Sequence, residues 1–109
     1  MIDWDRLSEL RNEVGAEDFE EVVELFMEEV DSIIEPMRQG ANDKANLEND
    51  LHFLKGCALN LGFAGFADLC HQGEKQAAAG QGETVSISEV LAVFDQSKAC
   101  LEEERHVRM

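Results

Sequence analysis

The chain of 109 residues is predicted to be all-α, an antiparallel up-and-down four-helix bundle with a short extra helix at its N-terminus. Apolar residues recur at three- and four-residue steps nearly throughout, the spacing of one face of a helix. No stretch alternates in the manner of a strand, and the composition, with one Pro and no Tyr, offers little support for a sheet. Glycine-bearing breaks divide the pattern into segments joined by short links, which favours antiparallel neighbours. An apolar content of 44% in a chain of this length suffices for one packed core without disulfide or metal staples, so residues 1–109 are expected to form a single domain.

The first helix is predicted to start at Asp3, whose carboxylate is a good N-cap. Trp4, Leu7, Leu10 and Val14 form its apolar face and Gly15 its stop. A longer second helix is expected at about 17–38. Its inner side is Phe19, Val22, Val23, Phe26, Val30, Ile33, Ile34 and Met37, and its wet side is Glu17, Glu20, Glu21, Glu24, Glu28 and Asp31. Pro36 is expected to kink or end it, since proline removes a backbone donor. Gly40 to Asp43 reads as a turn, and a third helix is predicted from about Asp43 to Leu61 with Leu47, Leu51, Leu54, Ala58 and Leu61 as its core stripe.

Gly62 and Gly65 punctuate before a fourth helix, expected from about Phe66 to Ala79, which shows Phe66, Leu69, Cys70 and Ala77 as its apolar residues. Gly80-Gln81-Gly82 breaks it. Ser86 with Glu89 three residues on is a capping box that opens a last helix bearing Ile87, Val90, Leu91, Phe94 and Leu101. Glu102-Glu103-Glu104 and the tail His106 to Met109 are expected to fray, because no periodic apolar pattern continues there.

Charge removes several function classes. With 24 acidic residues against 9 basic ones, the formal charge of -15 repels phosphate backbones and anionic lipid, so neither nucleic acid nor a membrane surface is an expected partner. No apolar run approaches the roughly 18–20 residues of a membrane span, and Met1-Ile2-Asp3-Trp4-Asp5 lacks the basic-then-apolar layout of a secretory signal. The expected location is the cytoplasm. Cys57, Cys70 and Cys100 follow no metal-type spacing and are expected to be reduced and structural. Cys70 and His71 are adjacent on a helix and point about 100° apart, so they are poorly placed to share an ion, and no metal site is expected.

The chemistry-bearing segment is His52-Phe53-Leu54-Lys55-Gly56-Cys57-Ala58-Leu59-Asn60-Leu61-Gly62 in the third helix. At 100° per residue, His52 points about 140–150° away from the apolar stripe, so it faces out. Periodicity thus rules against a core histidine and leaves an ordinary solvated histidine as the plain alternative. Lys55 at i+3 and Gly56 at i+4 share its face. An exposed glycine inside a helix costs about 1 kcal/mol relative to Ala and calls for a reason. Close approach of another molecule is one such reason, and packing against a neighbouring helix is another. A neutral imidazole is a good nucleophile near neutral pH and can form a covalent phosphoryl intermediate. Lys55 can neutralise phosphoryl oxygens, unless it is merely paired with an acidic neighbour. The chain has no Walker-type loop, no nucleotide fingerprint and no paired carboxylate motif, so it is expected to lack ATP-dependent kinase activity of its own and to exchange phosphoryl groups with partners.

The pattern His52-x-Leu54-Lys55-Gly56, five residues, then Gly62 resembles the signature of histidine-containing phosphotransfer domains of two-component phosphorelays. Leu69-Cys70, Glu74 and Ala77-Ala78-Ala79-Gly80 resemble the helix that follows the signature, so the likeness covers nearly the whole chain. The resemblance implies that His52 is the phosphoacceptor, that Lys55 helps to hold the phosphoryl group, and that Gly56 keeps the site open. Implied partners are a hybrid sensor histidine kinase and response-regulator receiver domains, with Mg2+ held by the receiver and no cofactor intrinsic to this chain. Leu59 and Phe63 are expected to form the apolar landing patch beside the histidine. Gly73 departs from the family, where a larger apolar residue is usual before Glu74, which puts the packing of the fourth helix in question. The initial Met and the absence of receiver or kinase segments suggest a stand-alone carrier. Two other readings remain at this level: a binding module that docks receivers without turning phosphate over, and a structural acidic bundle that oligomerises through the Leu59 and Phe63 patch.

Overall fold

The computed structural model describes residues 2–40 and 46–108, with side chains through residue 104. Among the described residues five α-helices follow in order: α1 (Trp4–Val14), α2 (Phe19–Arg38), α3 (Leu47–Leu61), α4 (Ala64–Ala78) and α5 (Ile87–Arg108), with a 3-10 turn at Gly82–Thr84 before the last. The architecture is the expected up-and-down helical bundle. The helices α2, α3, α4 and α5 each pack against the next, α5 closes the ring against α2, and α1 lies across α2 and α3.

The capping chemistry sets several boundaries. Asp3 Oδ1 accepts the Arg6 amide at 3.1 Å, and Gly15 ends α1 at φ 89°, a conformation that favours glycine. Ser86 Oγ accepts the Glu89 amide at 3.3 Å at the start of α5. Pro36 does not stop α2 on the spot but lies in its last turn, and the helix ends two residues later at Arg38. The start of the third helix at Asp43 and most of the expected turn lie outside the described residues, and α3 is described from Leu47.

One contiguous core runs through the bundle. Leu7 and Leu10 of α1 join Val23, Val30 and Ile34 of α2, and the whole predicted stripe of α3, Leu47, Leu51, Leu54, Ala58 and Leu61, is buried. Val22, Phe26 and Ile33 were expected inside and are only partly buried, since they lie at the margin of the α2 stripe. Gly62 turns the chain between α3 and α4 in the left-handed conformation, φ 72°. A Cβ at Gly62 would collide with the Asp3 carbonyl, while the Asp3 amide donates to the Gly62 carbonyl at 2.6 Å. The N-terminal strap is therefore pinned to the α3–α4 corner, with Ile2 bridging Phe63.

Two expectations about the chain's second half change. The fourth helix begins at Ala64, two residues early, because Phe63 rather than Gly65 ends the corner. The fifth does not fray after Leu101. Its backbone stays helical to Arg108, and Cys100 Sγ donates to Glu104 Oε2 at 2.7 Å across its last described turn. Ser97, fully buried among apolar residues, donates to the Val93 carbonyl at 2.8 Å and so needs no partner from another helix. Gly73 resolves the question about α4. A Cβ there would stand 2.9 Å from Leu51 Cδ1 and 3.3 Å from Val85 Cγ1, so glycine lets α4 sit directly against Leu51 of α3.

Candidate functional site

His52 sits in the second turn of α3 with its side chain 68% exposed, on the face away from the buried Leu51, Leu54 and Ala58. Lys55 follows one turn on. The facing helix α4 offers Glu74 and His71, also three residues apart. His52 Nδ1 lies 2.7 Å from Glu74 Oε1, Lys55 Nζ lies 2.8 Å from Glu74 Oε2, and Lys55 Nζ lies 3.5 Å from His71 Nδ1. Four polar side chains thus interlock across the α3–α4 crevice. The close approach at Gly73, one residue before Glu74, helps to bring the two helices within reach.

The charges in this cluster fix its hydrogen positions. Lys55 above all, and His52 after it, hold the Glu74 carboxyl below its ordinary range. Glu74 is therefore a carboxylate, which accepts only, and the proton in the short contact resides on His52 Nδ1. In the neutral form of the ring the lone pair is then on Nε2. Because His52 is mostly exposed, Nε2 is open to an incoming group. Glu74 Oε2 is shielded from solvent, and the Lys55 ammonium supplies its counter-charge.

Gly56 lies one turn from His52, and a Cβ built there meets nothing within 4 Å. Packing against a neighbouring helix is therefore not the reason for this glycine. Asn60 Nδ2 donates to the Gly56 carbonyl at 3.0 Å and its Oδ1 accepts from Arg6 at 3.1 Å, which ties this stretch of α3 to α1. Leu59 is 56% exposed, as a landing residue must be. Phe63 is not: it is 1% exposed, with its ring 6.4 Å from that of Phe94. The expectation grouped Phe63 with Leu59 as one exposed patch, but the left-handed turn at Gly62 swings Phe63 into the core. Among the described residues, Phe53, 41% exposed on α3, and Leu25, 53% exposed on α2, are the other exposed large apolar side chains.

Sequence reasoning assigned Glu74 and His71 no part in the site, although the matched i, i+3 spacings of His52 with Lys55 and His71 with Glu74 were in view. Cys70 is fully buried and burial pushes its thiol up to about 12, so it stays protonated beside an exposed His71. Among the described residues no group of three or more His, Cys, Asp or Glu side chains comes together to hold a metal ion. No helix of the described residues is long and apolar enough to cross a membrane.

Neither the curated proteins nor the solved structures contain a match to this chain. A family model does match, that of the Hpt domain, over residues 21–105, a span that takes in α3, α4 and the whole His52, Lys55, His71 and Glu74 cluster. With that span covering well over half of the sequence, the chain belongs to the Hpt domain family.

Proposed function

We propose that this protein carries a phosphoryl group on Nε2 of His52, taking it from a phosphorylated receiver-domain aspartate or a sensor kinase and passing it to the receiver of a response regulator. The observation that carries this reading is the short contact between His52 Nδ1 and a Glu74 held ionised by Lys55, on an exposed ring whose other nitrogen is free. Membership of the Hpt domain family supports a histidine phosphotransfer role in phosphorelays.

The step balances without a cofactor on this chain. The Nε2 lone pair attacks the phosphorus of the aspartyl phosphate in line, the bond from phosphorus to the aspartyl oxygen breaks, and the aspartate leaves as a carboxylate. The ring becomes a phosphoimidazolium that keeps its Nδ1 proton, and the Glu74 carboxylate opposite that proton offsets the new positive charge. Lys55 is one turn away to meet the equatorial oxygens. Transfer onward is the reverse reaction with a second receiver. Mg2+ belongs to the receiver's acidic pocket in this scheme, and the expected setting is the cytoplasm. A hybrid sensor kinase is the expected donor and a response regulator the expected recipient, with Gly56 leaving room for the receiver and Leu59 supplying apolar contact.

The test is incubation with a phosphorylated receiver domain, followed by intact-mass analysis at alkaline pH of the native chain and of His52→Gln. One added phosphoryl group on the native chain and none on the variant is expected, with the isomer identified as Nε2-linked by phosphorus and nitrogen NMR. No transfer to the native chain from several receivers shown to dock would leave a non-catalytic docking module.

A further inference from the structure

A groove of about 360 Å³ runs between α2 and α5, lined by Val23, Glu24, Met27, Glu28, Asp31, Lys98, Leu101 and Glu102. The helix ring places it across the bundle from the α3–α4 crevice that holds His52, since α2 meets α3 on one side and α5 on the other. A molecule seated in it leaves the histidine free.

The floor is apolar. Val23 and Leu101 are buried, at 4% and 3% exposure, and Met27 is half-buried between them and solvent. The walls are anionic. Glu24, Glu28 and Asp31 recur at i, i+4 and i+7 along α2, one row of carboxylates spanning roughly 10 Å at 1.5 Å per residue, and Glu102 faces them from α5. Lys98 is the one cation among the lining residues. Glu24 and Glu28 form no ion pair with any described residue.

We propose that this groove docks a basic amphipathic helix of a partner protein, at a second surface independent of the phosphotransfer site. A helix presents cations at i, i+4 and i+7 in register with the α2 row, and its apolar stripe fills the floor over Val23, Met27 and Leu101. Methionine suits such a floor, because its unbranched side chain repacks around different partners. A second copy of this chain is a poor occupant, since at a net charge of -15 it would bring acidic surface to acidic walls. Docking here would hold this protein next to its partner while His52 stays accessible, raising the effective concentration of the reacting domains.

The probe is a synthetic helical peptide with arginines at i, i+4 and i+7 flanking a leucine stripe, titrated against the full chain. A control of the same composition is scrambled to destroy the stripe. The native chain is expected to bind the ordered peptide at least about tenfold more tightly than the scrambled one, with a strong salt dependence. The double variant Glu24→Lys with Glu28→Lys is expected to lose that preference while keeping its helical circular dichroism and its transfer of phosphate at His52. Equal binding of ordered and scrambled peptides, or undiminished binding by the double variant, would show attraction to net charge alone and overturn the proposal. A dimer in sedimentation that the charge reversal dissociates would assign the groove to a second copy and overturn it equally. Because peptide binding is read without phosphate, failure of the phosphotransfer reading leaves this test standing.

Discussion

Glu74 Oε1 stands 2.7 Å from His52 Nδ1 although the two residues are 22 positions apart, and the other oxygen of the same carboxylate meets Lys55 at 2.8 Å. One side chain on α4 thus orients the ring and anchors the cation beside the nitrogen proposed to accept the phosphoryl group. Glu74→Ala is expected to slow phosphoryl acceptance about tenfold to a hundredfold, because the ring then loses its preferred tautomer and orientation. Glu74→Gln keeps an oxygen to accept from Nδ1 and is expected to recover part of that loss. Rapid-quench transfer from a phosphorylated receiver measures the rate, and receiver binding measured alongside should hardly move. An unchanged rate in the alanine variant would remove Glu74 from the site.

The same carboxylate makes folding sensitive to acid. Its ordinary value is 4.5, and in the folded chain Lys55 first and His52 second hold it lower. A depressed carboxyl contributes stability that is present above the unfolded value and is lost as pH falls through the folded value. The stability gap between the native chain and Lys55→Met should therefore be open above about pH 4.5 and close below it, as read by urea unfolding across that range. Asp95 titrates in the same direction beside Arg38, but that pair is intact in both proteins and cancels from the difference. A gap that persists unchanged in strong acid would show that Lys55 stabilises through packing alone.

The helices and their inner faces were legible because burial imposes a period that the sequence repeats: every predicted core position of α3 is buried. His52 was legible as outward-facing for the same reason. Glu74 and His71 were not, because their meeting with Lys55 depends on the register of α4 against α3, which local periodicity does not carry. Gly73 did carry a signal of that register, as a small residue in a helix interior, but it takes the neighbouring Leu51 to show that the gap is filled. Phe63 was misplaced because the direction in which the chain leaves the positive-φ corner at Gly62 is not carried by the apolar pattern.

Two glycines inside helices should respond to substitution with opposite sign. At Gly56 a side chain meets open space, so Gly56→Leu is expected to stabilise the isolated chain by up to about 1 kcal/mol through helix propensity. The same variant should abolish receiver docking. At Gly73 even one methyl would stand 2.9 Å from Cδ1 of the buried Leu51, which has to shift, so Gly73→Ala is expected to cost about 1 kcal/mol after the propensity gain is counted. Urea denaturation of the pair checks both signs. A leucine variant at position 56 that still docks would leave the exposed glycine without a reason.

Leu59 and Phe63 lie four residues apart on either side of the Gly62 corner and should separate docking from folding. Leu59 is 56% exposed, so Leu59→Ala is expected to leave stability within about 0.5 kcal/mol while weakening receiver binding by roughly 1 kcal/mol. Phe63 packs against Phe94, is 1% exposed and neighbours the Ile2 strap, so Phe63→Ala empties part of the core and is expected to cost about 3–5 kcal/mol. Denaturation and receiver titration on both variants distinguish the roles. If Phe63→Ala instead proved as stable as the native chain and bound receivers poorly, the ring would belong to the surface after all and the corner at Gly62 would have to turn the other way.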